Sequence, residues 1–163
     1  MNGQSKDDYK AHEQVMEAVT LTKDGQYEKA IEIFEDHLDG LTGGTIGDKR
    51  VSANAFSYYG LCVAILRRRY AEAVKYCQIS LRTNPLEPQH RANLALVYME
   101  RNDRAKAVET LNSGLRLDRR NQRIHKILNE LGRRRPPVIP FLSRDNALNI
   151  YFGKRRAHKE RGQ

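Results

Sequence analysis

Apolar residues recur at helical spacing through the first four-fifths of the chain, in segments separated by short polar breaks. The clearest segment runs from Arg69 to Leu81, where Tyr70, Ala73 and Cys77 recur every three or four residues, as on one face of an α-helix. Similar segments lie before and after it. The pattern predicts seven helices, at about residues 8–22, 27–39, 52–66, 70–82, 89–100, 104–117 and 121–132.

The breaks between these segments predict which helices form pairs. Residues 23–26 and 101–103 are short enough to join two antiparallel helices as a hairpin. Residues 84–88 contain two prolines and separate one hairpin from the next. A glycine-rich loop at 40–50 separates the first two hairpins. It lacks the glycine, lysine and hydroxyl run of a phosphate-binding loop, so we expect no nucleotide site there.

A small residue recurs in the second helix of each hairpin, at Ala30, Ala73 and Ala107. Such residues are needed where two helix axes approach within about 8–10 Å. The last two alanines lie 34 positions apart, which is the period of tetratricopeptide repeats. An aromatic residue lies three positions before the first two, at Tyr27 and Tyr70.

On these residues the chain resembles three tetratricopeptide repeats, over 8–40, 52–85 and 87–120, with a helix at 121–132 similar to the one that closes such arrays. It departs from the family pattern in that Arg104 replaces an aromatic residue and Gly60 is shifted by one place.

The resemblance implies an all-α fold, an α-solenoid of three antiparallel helical hairpins with a C-terminal capping helix and an extended tail. We therefore expect a repeat domain over residues 1–132 and a basic C-terminal extension over 133–163.

The resemblance also implies a function: a non-enzymatic adaptor or scaffold subunit that binds a peptide or a helix in a concave groove. Val15, Val19 and Tyr59 occupy positions where clamps for chaperone tails carry polar residues, so such tails are not the expected ligand. Asn93 matches an asparagine that bonds peptide backbone in the family. The apolar groove residues could instead pack neighbouring repeats together. The predicted groove residues are Val15, Val19, Tyr58, Cys62, Ile65, Leu66, Asn93, Leu96 and Met99.

Basic residues become denser along the chain, and the net charge is +9. Residues 1–50 hold 6 Lys and Arg against 11 Asp and Glu, residues 51–132 hold 14 against 7, and residues 133–163 hold 9 against 2. This gradient indicates an acidic partner, which could be nucleic acid, a protein surface or an anionic membrane, or it serves solubility alone.

The alternative function is therefore a nucleic-acid-associated factor, in which arginines of the repeats and the tail contact phosphates. Arg119 and Arg120 would contribute to this surface. The predicted basic patch comprises Arg67, Arg68, Arg69, Arg133, Arg134, Arg135, Lys154, Arg155 and Arg156.

The C-terminal extension combines three prolines with four apolar residues, Val138, Ile139, Phe141 and Leu142. Proline favours an extended conformation, and these side chains are too apolar for a plain linker. We expect this segment to dock into an apolar groove, in its own chain or in a second copy. A disordered basic tail is the alternative.

Catalytic and cofactor chemistry is not expected. The five histidines are scattered, the two cysteines have no metal-ligand spacing, and no nucleophile groups with a base. No apolar run approaches the roughly 20 residues that span a bilayer. We therefore expect a non-enzymatic cytoplasmic protein without metal, cofactor or transmembrane segment.

Overall fold

The computed structural model describes residues 6–37, 49–132, 139, 146–148 and 150–152. The chain divides into two compact units, residues 1–130 and 131–163. All regular elements among the described residues are helical, which confirms the predicted all-α fold.

Seven α-helices and one π-helical turn follow one another along the described chain. Their order matches the predicted hairpins, and most of their ends lie within two or three residues of the predicted ones. The elements are α1 (Lys6–Lys23), α2 (Tyr27–Asp36), α3 (Lys49–Cys62), the π-turn (Val63–Arg67), α4 (Tyr70–Thr83), α5 (Pro88–Glu100), α6 (Arg104–Leu117) and α7 (Gln122–Leu131).

The helices pair as α1 with α2, α3 with α4, and α5 with α6, and neighbouring hairpins stack because α3 also contacts α1, α2 and α5. This stacking is the helical-repeat solenoid that the resemblance implied. No single hairpin could bury its own apolar stripe, so each depends on its neighbours. The first helices of the hairpins, α1, α3 and α5, and then α7, supply the side chains of the site described below.

Each hairpin turn contains one residue in the left-handed region, two positions before the second helix begins. These residues are Gly25 at φ 79°, Arg68 at φ 53° and Asn102 at φ 62°. Glycine adopts this conformation without strain, asparagine tolerates it, and arginine does so at a cost. The three turns therefore share one geometry but differ in how well their residues suit it.

The π-turn explains the shifted glycine of the second hairpin. Ala18 and Ala95 lie nine residues before the helix that follows, at Tyr27 and Arg104, whereas Gly60 lies ten residues before Tyr70. A π-helical turn accommodates one additional residue within a helix. The shift is therefore a one-residue insertion that the π-turn at Val63–Arg67 absorbs.

Gly60 lies at the closest approach of α3 and α4. A methyl group at this position would lie 2.8 Å from the carbonyl oxygen of Ala73 and 3.0 Å from the sulfur of Cys77. Gly60 therefore has the close-packing role that alanine has in the other hairpins.

Aromatic rings fill the core around the second hairpin. Tyr59 packs edge-on against Phe34 and Tyr76, with ring centroids 6.0 and 4.7 Å apart, and Phe56 stacks on Tyr76 at 6.1 Å. Arg67 of the π-turn forms an ion pair with Glu35 at 2.6 Å. The Tyr59 hydroxyl donates to the same carboxylate at 3.3 Å. These contacts join α2 to the second hairpin.

The C-terminal unit is described only in part. Ile139 lies half-buried at a bend, and a short helical segment follows Asn146. Leu148, Tyr151 and Phe152 of this segment are exposed. The rings of Tyr151 and Phe152 pack edge-on, with their centroids 5.3 Å apart. The other predicted docking residues, Val138, Phe141 and Leu142, lie outside the described residues, so tail docking stays a prediction.

Candidate functional site

A cavity of about 250 Å³ opens between the first helices of the three hairpins. One wall is apolar, and the others carry two amides, a phenol, one ammonium group and one carboxylate. Its lining residues are Met16, Val19, Lys23, Asn54, Tyr58, Glu87 and Gln89.

Tyr58 is the largest buried side chain of this site, with 1% of its surface exposed. Its hydroxyl has no hydrogen-bond partner among the residues that the structure describes. Burial raises the pKa of Tyr58, whereas Arg123 and the nearby amides of Gln89 and Asn93 act to lower it. The contacts with these amides do not have the geometry of hydrogen bonds. The phenol is thus a neutral donor that lacks an acceptor.

Two cations approach the Tyr58 ring. The Lys23 ammonium lies 5.6 Å and the Arg123 guanidinium carbon 5.9 Å from the ring centroid, both within the range of cation–π attraction. Lys23 is an exposed residue at the end of α1, and Arg123 comes from the first turn of α7. The ring therefore brings together charges from both ends of the repeat array.

A chain of hydrogen bonds holds Arg123 in place. Its Nη2 donates to Asn93 Oδ1 at 2.8 Å, and Asn93 Nδ2 donates to Ser57 Oγ at 2.8 Å. Asn93 and Ser57 are fully buried. The amide of Asn93, which the resemblance assigned to peptide backbone, is here committed to two side chains of the same chain.

Burial lowers the pKa of Arg123, and Tyr58 and Tyr27 partly offset this effect. Its Nη1 is buried without a hydrogen-bond partner in the described part of the chain. The guanidinium nevertheless remains charged at neutral pH because its ordinary pKa is so high.

The nine predicted groove residues divide into two groups by burial. Val15, Val19, Tyr58, Cys62 and Asn93 are buried, whereas Ile65, Leu66, Leu96 and Met99 are half-buried. Of the nine, Val19 and Tyr58 line the cavity. All four apolar residues of the buried group, Val15, Val19, Tyr58 and Cys62, belong to the continuous core. Val15 and Cys62 are not in the cavity lining, which favours the alternative that they pack neighbouring repeats.

Sequence reasoning missed Arg123, although a signal for it exists. Gln89 occupies a groove position near the start of α5, and Arg123 lies 34 residues later. Extending the projection by one repeat period into the capping helix would have identified it.

The described part of the predicted basic patch is largely paired with acid. Arg67 pairs with Glu35, and Arg69 approaches Glu72 at 3.7 Å. Arg68 is exposed in the left-handed turn. Residues 133–135 and 154–156 lie outside the described residues.

The described ranges give no sign of a metal site, a reactive thiol or a membrane-spanning helix. No group of three or more potential metal ligands occurs there. Cys62 and Cys77 are free and buried, and burial raises the pKa of the Cys62 thiol to about 11 and that of Cys77 to about 12. Such thiols are unreactive at neutral pH. None of the described helices is long and apolar enough to cross a membrane.

Comparison with known families gives two matches. Models described as tetratricopeptide repeat match residues 18–44, which include α2, and residues 91–121, which include most of α5 and all of α6. No curated protein matches the sequence significantly.

Proposed function

Because this chain is a tetratricopeptide repeat protein, we propose that it is a non-enzymatic adaptor or scaffold subunit that holds a segment of a protein partner in the cavity between its first helices. Repeats of this family generally mediate protein–protein interaction. The finer proposal concerns where on this chain the partner binds.

The cavity carries this proposal. Its volume of about 250 Å³ is below the roughly 300–1,000 Å³ of typical small-molecule sites, and it suits one or two side chains of a peptide. Met16 and Val19 offer an apolar surface, while Asn54 and Gln89 offer amides that can bond peptide backbone. A few polar groups on an apolar wall provide orientation as well as affinity.

The nucleic-acid alternative has less support. Binding to phosphates depends on free cations in an extended patch, yet Arg67 and Arg69 face carboxylates of their own chain. Salt dependence separates the two functions, because phosphate contacts weaken steeply with salt and apolar contacts do not.

Selection from a random peptide library, using the full-length protein as bait, tests the proposal. Asn54→Trp would fill the cavity from its half-buried rim and should weaken binding of the selected peptides at least about tenfold, or 1.4 kcal/mol. Gln78→Trp is the matched control because Gln78 is an exposed amide residue on α4, away from the cavity lining.

We expect full binding by Gln78→Trp and loss of binding by Asn54→Trp. Selected peptides that bind both variants equally would show that the partner binds elsewhere. Recovery of no peptide with Asn54-dependent binding would also contradict the proposal.

A further inference from the structure

A short helical segment of the C-terminal unit concentrates the exposed apolar surface of the described chain. Three of the exposed large apolar side chains, Tyr9, Leu86 and Leu117, lie singly and far apart in sequence. Four others lie within five consecutive positions, with 40% to 54% of their surface exposed: Leu148, Ile150, Tyr151 and Phe152. Single exposed apolar residues need no explanation, whereas a contiguous group indicates an interaction site.

Hydrogen bonds at Asn146 start the helical turn that carries this group. Asn146 Oδ1 accepts from the Leu148 amide at 3.0 Å, and the Asn146 carbonyl accepts from the Ile150 amide at 3.0 Å. Leu148, Tyr151 and Phe152 follow the i, i+3, i+4 spacing that places side chains on one helical face. The segment therefore presents one apolar face.

Charged residues are separated from this face along the sequence. Residues 146–153 contain none, whereas residues 154–161 hold five Lys and Arg residues against one acidic residue. Clusters of about four to eight basic residues beside a membrane-associated segment bind anionic lipid headgroups. Stable attachment to a membrane surface takes two such signals, and an apolar face beside a basic cluster supplies both.

We propose that residues 146–161 attach the protein to the surface of an anionic lipid bilayer. Leu148, Tyr151 and Phe152 insert at the headgroup boundary, and the basic residues that follow lie against the anionic headgroups. The segment is far shorter than the roughly 20 residues that cross a bilayer, so it lies in the interface. This attachment is separate from the peptide-binding cavity of the repeat domain.

The composition of the apolar face favours lipid over nucleic acid. Bases stack on aromatic rings, which gives the aliphatic side chains of Leu148 and Ile150 no role. A bilayer interface accommodates both kinds of side chain, and tyrosine is enriched there because its ring is apolar and its hydroxyl is polar.

Cosedimentation of the full-length protein with lipid vesicles tests the proposal. We expect binding to phosphatidylcholine vesicles that contain about 30% phosphatidylserine, and binding at least about tenfold weaker to phosphatidylcholine alone. Added salt should weaken binding only in part, because it screens the basic residues but leaves apolar insertion in place.

The apolar face is tested by Tyr151→Ser combined with Phe152→Ser. This variant should bind anionic vesicles at least about tenfold more weakly, because it loses the two largest side chains of the face. Tyr9→Ser combined with Leu86→Ser is the matched control. Tyr9 and Leu86 are exposed at 64% and 74% but lie in the other unit, so this variant should bind like wild type.

The basic cluster is tested by replacing Lys154, Arg155 and Arg156 with Gln. Each basic residue near an anionic surface contributes about fivefold to binding, so the triple variant should bind about 100-fold more weakly. Its binding to phosphatidylcholine alone should stay unchanged.

Tryptophan fluorescence distinguishes insertion from adsorption. The chain contains no tryptophan, so Phe152→Trp introduces a single reporter. Its emission should shift to shorter wavelength with anionic vesicles, and lipids brominated in the acyl chain should quench it. Unchanged emission would show that the ring stays in water and would overturn the proposal.

Three further results would also overturn it. Binding that depends on the basic cluster alone would show electrostatic adsorption without an apolar contact. Binding to single-stranded RNA that is tighter than to vesicles and is lost with Tyr151→Ser and Phe152→Ser would assign the face to nucleic acid. A mass that rises with protein concentration in the absence of lipid, and does not rise in that variant, would assign the face to a second copy.

Discussion

The second and third hairpins have the same topology but are packed with different chemistry. In the second, α3 contributes large rings, Phe56, Tyr58 and Tyr59, and its crossing with α4 depends on a glycine. In the third, α5 contributes small and polar buried residues, among them His90 and Asn93.

The difference shows how a repeat tolerates both an insertion and a polar core. The second hairpin takes up its additional residue in the π-turn at Val63–Arg67 and anchors that turn through the Arg67–Glu35 ion pair. The third needs no such correction. Its turn at Asn102 has the hydrogen bonds of a regular helix end, with the Asp103 amide donating to the Tyr98 carbonyl at 2.8 Å.

The largest effect is expected from adding a methyl group at the close crossings. At Gly60 it would meet the backbone oxygen of Ala73 at 2.8 Å, whereas at Gly114 it would meet the terminal methyl group of the Ile124 side chain at 2.5 Å. We expect Gly60→Ala to lower the free energy of unfolding by about 3 kcal/mol, and Gly114→Ala by about 1 kcal/mol or less. Urea denaturation measures both. Equal losses would contradict the expectation that the backbone contact at Gly60 yields less than the side-chain contact at Gly114.

Lowering the pH should destabilise the fold through His90, which is buried in the third hairpin. The side chain is fully buried, neither ring nitrogen has a hydrogen-bond partner in the described ranges, and burial lowers its pKa to about 4. Between pH 6.5 and 4 the unfolded chain therefore binds one more proton than the folded protein. The free energy of unfolding should fall by roughly 2–3 kcal/mol as the pH is lowered through this range.

The check is the pH dependence of unfolding in His90→Leu, which should lack this part of the acid sensitivity. His125→Leu, at an exposed histidine of α7, should keep it. The second hairpin has Ala55 at the position equivalent to His90, counted from Gly60 and Ala95, and so contributes no such titration. Equal slopes for wild type and His90→Leu would rule out His90 as the source.

The smallest effect concerns the turns. Arg68 adopts a left-handed conformation at φ 53° that costs a non-glycine residue about 1–2 kcal/mol. Because glycine also gains flexibility when unfolded, we expect Arg68→Gly to raise the free energy of unfolding by about 1 kcal/mol. Asn102→Gly should change it by a few tenths, since asparagine tolerates this region. A loss of stability in Arg68→Gly would show that its side chain has a role in the fold.

Most of the fold could be predicted because a repeat gives the same information several times. The spacing of Ala73 and Ala107 fixed the hairpins, and apolar periodicity placed the helices within them. The π-turn could not be predicted in the same way. Residues Leu61 to Leu66 are all apolar, so they show no alternation of apolar and polar positions that an inserted residue could displace. The displaced Gly60 was the one sign of it.

The site was less predictable, because its chemistry comes from helices that are distant in sequence. Val19 and Tyr58 were placed in the groove and do line the cavity. Local pattern could not show that Asn93 bonds Ser57 and Arg123, since those contacts depend on how hairpins stack. The predicted docking of Val138, Ile139, Phe141 and Leu142 stays a prediction. Of these four, the structure describes Ile139, which lies half-buried at a bend.

The capping helix has a consequence for the length of the array. Repeat proteins are commonly extended by inserting further repeats before the last helix, which then serves only solubility. Here Arg123 of α7 bonds Asn93 of α5 and approaches Tyr58 of α3, so an added repeat between α6 and α7 would carry that guanidinium out of reach of both. The number of hairpins is thus coupled to the cavity, and lengthening this protein would mean rebuilding its site.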